Sequence, residues 1–146
     1  MATRRDAGSE LAYAADLINR VIAGVAGVRT GIHVCRGNWS RNEAVLLSGD
    51  YARLLPAFSA MQVQQFVLEY ATPRAGDIAV VGEALGAREI GLGVVNPRTE
   101  TVESVGEIVA QVERALAWFA PERVFLNPDC GFGCFANRCV NDETTA

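Results

Sequence analysis

Four short apolar runs, residues 28–35, 65–70, 89–95 and 124–126, alternate with stretches whose apolar residues recur at helical spacing. That alternation constrains the fold more than any single motif. A strand followed by a helix returns to the same edge of a sheet, so the repeated unit builds a parallel sheet covered by helices. Ser9 is placed to cap a first helix through Leu11, Ala14, Ala15, Ile18, Val21, Ile22 and Val25, with Gly27 after it. Residues 42–47 suit a helical turn, and residues 50–61 a helix with Tyr51, Leu54, Leu55 and Phe58 as its stripe and Pro56 as a flaw. A short helix is expected over 78–85. Ser104 and Glu107 form a capping box that opens a helix carrying Val105, Ile108, Val109, Val112, Leu116 and Phe119, and Pro121 breaks it. The expected class is α/β, with four strand–loop–helix units in 146 residues.

The length suffices for one domain with a sizeable core. A net charge of −4 gives no electrostatic reason to expect nucleic acid or an anionic membrane as partner. No apolar run approaches the ~20 residues that span a bilayer. The first ten residues carry no apolar core, so the expectation is a cytoplasmic protein without a secretory leader. In that compartment Cys35, Cys130, Cys134 and Cys139 are expected as metal ligands or free thiols rather than disulfides.

Chemistry-bearing residues stand where the strands end. His33 and Cys35 alternate on one strand, so an imidazole and a thiol point to the same side. Both are zinc ligands, and a thiolate favours zinc over magnesium or calcium. The competing reading is a buried cysteine beside a satisfied histidine. Glu69 directly follows the second strand, Asn96 the third and Cys130 the fourth. Taken alone, Glu69 reads as a surface carboxylate and Cys130 as a loop thiol. Cys134 and Cys139 stay open as further ligands. Arg36, Arg74 and Arg98 each follow a strand and could hold an anionic group, although solvated arginine is the plainer reading for at least one. The C-terminal edge of parallel strands is where α/β proteins place their sites.

Four motifs occur in order: His33-Val34-Cys35-Arg36-Gly37-Asn38; Leu68-Glu69-Tyr70-Ala71 with Pro73-Arg74-Ala75-Gly76-Asp77; Gly91-Leu92-Gly93-Val94-Val95; and Asn127-Pro128-Asp129-Cys130-Gly131-Phe132. Together they resemble the C-terminal catalytic domain of cobalamin-independent methionine synthase and its shorter bacterial relatives. The resemblance runs from about Leu11 to Asn137. It implies a (β/α)8 barrel of the methionine synthase/uroporphyrinogen decarboxylase-like superfamily. It further implies a zinc site of His33, Cys35, Glu69 and Cys130, with Asn96 and Asp129 near the substrate. The activity implied is transfer of a methyl group from a 5-methyltetrahydropteroyl-glutamate to the zinc-activated thiolate of homocysteine, giving methionine. A related possibility is a zinc thiol-alkyl transferase of the epoxyalkane–coenzyme M type. A non-catalytic zinc-binding half-domain or subunit is the third reading.

The sequence departs from that family in three places. A barrel takes about 250 residues, so the chain corresponds to the second half of one: a single partial domain over 1–146, with a polar tail at 138–146. The expected partner is therefore a second copy or a separate N-terminal half-barrel chain, besides the thiol and the methyl donor. In the loop after the third strand the full-length enzymes carry a histidine, whereas this chain reads Asn96-Pro97-Arg98-Thr99 and has His33 alone. No catalytic acid is assigned. Finally, Cys134 and Cys139 stand where the family has other residues.

Overall fold

Asp6, not Ser9, begins the first helix, because its carboxylate accepts the Ser9 N–H at 3.0 Å. In the computed structural model, which describes residues 6–132, helix α1 runs Ala7–Ile22. It ends before Val25, where the Gly24 and Gly27 backbones turn to positive φ. Strand β1 is Gly31–Val34, shorter than the apolar run around it. The turn at 42–47 is a 3-10 turn, Glu43–Val45, started by the Asn42 side chain on the Ala44 N–H. The helix expected over 50–61 is divided. A 3-10 turn, Ala52–Leu54, leads into α2, Leu55–Ala60, and Pro56 lies in the first turn of α2. There the missing N–H costs nothing, so the apparent flaw marks a helix start. Strand β2 is Gln65–Leu68, helix α3 Ala79–Leu85 and strand β3 Glu89–Val95. Helix α4, Val105–Leu116, opens on the expected capping box, and β4 is Val124–Pro128.

The strands form one parallel sheet in the order β1-β2-β3-β4. Parallel register places Ile32, Phe66, Ile90 and Val124 in one row and Val34, Leu68, Leu92 and Leu126 in another, both on the same face. Phe66, Leu68, Ile90 and Leu92 are buried and join Tyr51, Phe58, Val81, Ala115 and Phe119 in the core under the helices. The alternate residues face the other way: His33, Val67, Gly91 and Phe125 form a row there. Among the described residues, that face is not covered by a helix layer. His33 is exposed, and Val67 and Phe125 are half-buried. The four β/α units match the α/β class expected and resemble half of a (β/α)8 barrel. The tail at 138–146, with Cys134 and Cys139, lies outside the described residues. No helix among the described residues is long and apolar enough to cross a membrane.

Candidate metal centre

Cys35 and Glu69 lie one step past β1 and β2, in phase with His33 and Val67. Their side chains therefore leave the sheet on the uncovered face. Cys130 arrives from the loop after β4. One ligand atom each from His33, Cys35, Glu69 and Cys130 falls within 4.8 Å of all the others. The two sulfurs are 3.9 Å apart. Two thiolates at 2.3 Å from one tetrahedral zinc would stand about 3.8 Å apart, so the spacing fits that ion. The four residues that the resemblance grouped are thus brought together, from the ends of two strands and one loop.

Each donor is held by the chain in a form suited to a cation. His33 Nδ1 lies 3.2 Å from the Val67 carbonyl oxygen. A carbonyl only accepts, so Nδ1 carries the proton and Nε2 keeps its lone pair, the arrangement common to metal-binding histidines. The Gly37 N–H donates to Cys35 Sγ at 3.4 Å, which fixes the sulfur's position at the end of β1. Gly37 has φ +111°, and a Cβ there would strike the Trp39 ring at 2.6 Å, so glycine is required for this turn. Asn38 donates from Nδ2 to the Gly131 carbonyl at 2.7 Å and ties the loop after β1 to the Cys130 loop.

Glu69 is not a surface carboxylate: its residue is 2% exposed. Oε1 accepts the Arg36 N–H at 3.2 Å, and Oε2 accepts from Arg74 at 2.7 Å. Tyr51, from the segment before α2, grips the same residue by its backbone. Its hydroxyl accepts the Glu69 N–H at 3.0 Å and donates to the Glu69 carbonyl at 3.5 Å. Burial pushes the Tyr51 phenol up to about 12, so it stays protonated across the physiological range.

None of the three arginines is solvated. Arg36 turns inward, donates to the Gly49 carbonyl and stacks its guanidinium 4.9 Å from the Tyr51 ring centroid. Arg74 and Arg98 are occupied by the protein's own carboxylates. Arg74 pairs with Glu69 and, through Nε, with Glu43 at 2.9 Å. Arg98 pairs with Glu43 at 2.9 Å and with Asp129 at 3.0 Å. The anionic group expected for these arginines is therefore internal. Arg98 stands in the loop where the resemblance leads one to look for a histidine. Burial lowers its affinity for the proton, but the pairs with Glu43 and Asp129 outweigh that and hold its pKa above the usual value.

Asp129 is fully buried. It accepts the Ala71 N–H at 2.8 Å on one oxygen and Arg98 on the other. Burial pushes its carboxyl up, opposed by those two donors. Both oxygens are thus engaged within the chain, and Asp129 presents no exposed atom to a substrate. Asn96 is half-buried, and its Oδ1 accepts the Arg98 N–H at 3.1 Å. Gly93 makes room for this loop, since a Cβ there would lie 2.2 Å from Asp129 Oδ1. Sequence reasoning missed Glu43 and missed Tyr51 as a site residue. Tyr51 reads as an apolar stripe position, and Glu43 as one charged residue in a turn.

The family model described as "Cobalamin-independent synthase, Catalytic domain" matches residues 3–143. The methionine synthase of Pyrococcus furiosus is 36% identical over 123 residues, which is 84% of this chain and 32% of that protein. That of Sulfolobus acidocaldarius is 31% identical over 122 residues, with the same shares covered. Among solved structures, a B12-independent methionine synthase from a Shewanella species, in complex with selenomethionine, superposes with a TM-score of 0.74 at 16% identity. The match covers 89% of this chain and 37% of that one. A putative vitamin-B12 independent methionine synthase from Listeria monocytogenes gives 0.66 at 23% identity, over 90% and 37%. The structural likenesses show the fold. The chain spans about a third of the length of the curated relatives it matches.

Proposed function

We propose, for a chain that belongs to the cobalamin-independent synthase catalytic-domain family, that it carries the zinc-holding part of a methyltransferase acting on a thiol. Homocysteine is the acceptor in this reading, methionine the product, and a methylated tetrahydropteroyl-glutamate the donor. The observation that carries it is the meeting of His33, Cys35, Glu69 and Cys130 ligand atoms within 4.8 Å at the C-terminal edge of a parallel sheet.

Zinc, when bound, would supply a Lewis acid that favours the deprotonated form of a coordinating substrate thiol at neutral pH. The residues of this chain prepare for that. His33 offers Nε2 because Val67 holds the proton on Nδ1. The Gly37 N–H holds the Cys35 sulfur in place, and Arg36 and Arg74 keep Glu69 oriented by two donors. Cys35 and His33 are exposed on the uncovered sheet face, so a thiol reaches the centre from that side. Glu69 is closed off from water on the opposite side by Tyr51 and the arginines. Groups that bind the amino acid end of the acceptor and the pterin are supplied from beyond this segment. A second copy or an N-terminal half-barrel chain that covers the uncovered face is the partner this reading requires.

The test is zinc content and methyl transfer in the chain alone and with such a partner. Stoichiometric zinc, lost in Cys35→Ser and in Cys130→Ser, is the expected result. Methyl transfer to homocysteine is expected once the uncovered face is covered. Zinc retained in both serine variants would sink the ligand assignment. Zinc binding without transfer in any combination would leave a zinc-binding half-domain in place of an enzyme.

A further inference from the structure

A chain of alternating charges runs beneath the metal centre: Glu69, Arg74, Glu43, Arg98, Asp129. Its two ends matter for the site. Glu69 is one candidate ligand, and Asp129 directly precedes another, Cys130. The side chains of Glu69, Arg98 and Asp129 are essentially buried, and that of Arg74 is 9% exposed. Glu43 is the middle member and the exception at 39%. Each of its oxygens meets one arginine Nε at 2.9 Å: Oε1 accepts a hydrogen bond from Arg98, and Oε2 forms an ion pair with Arg74 without hydrogen-bond alignment.

Two guanidinium groups on the two oxygens of one carboxylate repel each other, and the shared negative charge is what holds them together. Of their remaining donors, Arg74 sends Nη2 to Glu69 at one end of the site and Nη1 to the Arg36 and Leu47 carbonyls, and Arg98 sends Nη2 to Asp129 at the other end. The distance between those two ends therefore depends on Glu43. It also fixes how much of the Arg74 charge acts on Glu69. With Glu43 present, that guanidinium is divided between two carboxylates and leaves more electron density on Glu69 for a metal.

We propose that Glu43 is a positioning residue: by clamping Arg74 and Arg98 it sets the spacing and donor strength of Glu69 and the Cys130 loop, and so the affinity of the metal centre. The inference rests on the zinc reading above. Glutamine is the informative replacement. A carboxamide has one acceptor oxygen, so it can satisfy one arginine while its NH2 group faces the other, donor against donor. Glu43 lies outside the apolar core, which leaves the fold itself little dependent on it.

The experiment is zinc affinity by chelator competition, with the ligand-field spectrum of the cobalt(II)-substituted chain as the second readout. The metal is the probe in both. Glu43→Gln is expected to weaken zinc by about 10- to 100-fold, the usual effect of losing a group that orients a ligand, and to shift the cobalt bands. Glu43→Asp, which keeps the charge, recovers part of the affinity. Glu100→Gln is the control: it removes one charge that pairs with exposed Arg41 on a neighbouring loop and leaves both readouts unchanged. An affinity or a cobalt spectrum for Glu43→Gln that equals the parent's overturns the proposal. If Glu43→Gln does not fold, Arg98→Lys decides. It keeps the charge but drops the fork that reaches Glu43 and Asp129 together, and parent-like zinc binding there overturns the proposal equally. A parent chain that binds no zinc sinks the metal reading itself, which is a different result from a parent and variant that bind alike.

Discussion

The two faces of the sheet are built from alternate residues of the same strands, yet they follow opposite rules. On the helix-covered face β1, β2 and β3 present Ile32 and Val34, Phe66 and Leu68, Ile90 and Leu92. On the uncovered face the same strands present His33, Val67 and Gly91, then Cys35, Glu69 and Gly93 as they end. Strand β3 shows the contrast most sharply: its large residues Ile90, Leu92 and Val94 alternate with glycines. One face gains stability by removing apolar area from water. The other forgoes that gain and keeps space and donors for the site. The lesson is that side-chain alternation lets four short strands serve packing and chemistry without either set of residues compromising the other.

The covered face should dominate stability, and Phe66→Ala is the largest test of that. Phe66 is 1% exposed and packs its ring 4.8 Å from that of Phe58. Its truncation is expected to cost about 3–5 kcal/mol, read as a shift in the urea midpoint. A loss no larger than that of a surface substitution would break the contrast between the faces.

Tyr51 joins the faces, with its ring in the core and its hydroxyl on Glu69, and it makes the contrast pH-dependent. Its pKa is about 12 in the fold, against about 10 when unfolded. The unfolded chain therefore gives up this proton first, and stability is full below about pH 10 and falls as pH rises toward the folded value. The two-unit gap is worth up to about 3 kcal/mol. Burial pushes Tyr70 up as well, so it adds to the same alkaline loss. Phenolate absorbance followed together with unfolding should show the two events coinciding. Tyr51→Phe should remove its share of the alkaline slope, at a neutral-pH cost of about 1–2 kcal/mol for the Glu69 N–H left unpaired. Tyr51 ionising near pH 10 in the folded chain would contradict the buried, doubly bonded hydroxyl.

Gly93 marks where the uncovered face stops being permissive. A methyl group there would meet Asp129 Oδ1 and the Leu68 carbonyl oxygen. Gly93→Ala is expected to cost about 1–3 kcal/mol from overpacking, and to loosen zinc, because the Asp129–Cys130 loop must move. Zinc affinity equal to the parent's would mean that this loop can shift without carrying Cys130.

How much of this was legible in the sequence follows the same division. The covered face was readable because apolar periodicity is local. Ser104 with Glu107 and the Glu89–Val95 run gave element bounds that the structure repeats. Two of the bounds that differ have local causes: Asp6 rather than Ser9 caps α1, and Pro56, in the first turn of α2, marks a helix start. In the site, His33 and Cys35 were visible from strand alternation alone, while Glu69 and Cys130 needed the motifs around them. Glu43 was out of reach. Its partners Arg74 and Arg98 lie on other loops, and no spacing rule joins a turn after β1 to loops after β2 and β3. The arginines read as solvated or ligand-holding because a charge alone does not reveal its partner. Their burial depends on carboxylates that only the folded sheet edge brings near.

The smallest expected effect sharpens the comparison most. Val67 lies on the uncovered face between His33 and Gly91, half-buried, and a Cβ on Gly91 would touch its methyl groups. In the chain alone Val67→Ala should cost about 1 kcal/mol or less, since its methyl groups already meet solvent in part. Zinc should be retained, because His33 bonds the Val67 backbone carbonyl and not its side chain. Covering the face with a second copy or a half-barrel partner would bury the same side chain, whose full burial is worth about 1.5–3 kcal/mol. The cost of this one substitution should therefore rise with protein concentration if copies pair, or on addition of the partner chain if a separate half completes the barrel. A large cost in the monomer would show that the uncovered face is packed within the chain, and the contrast between the two faces would fail there.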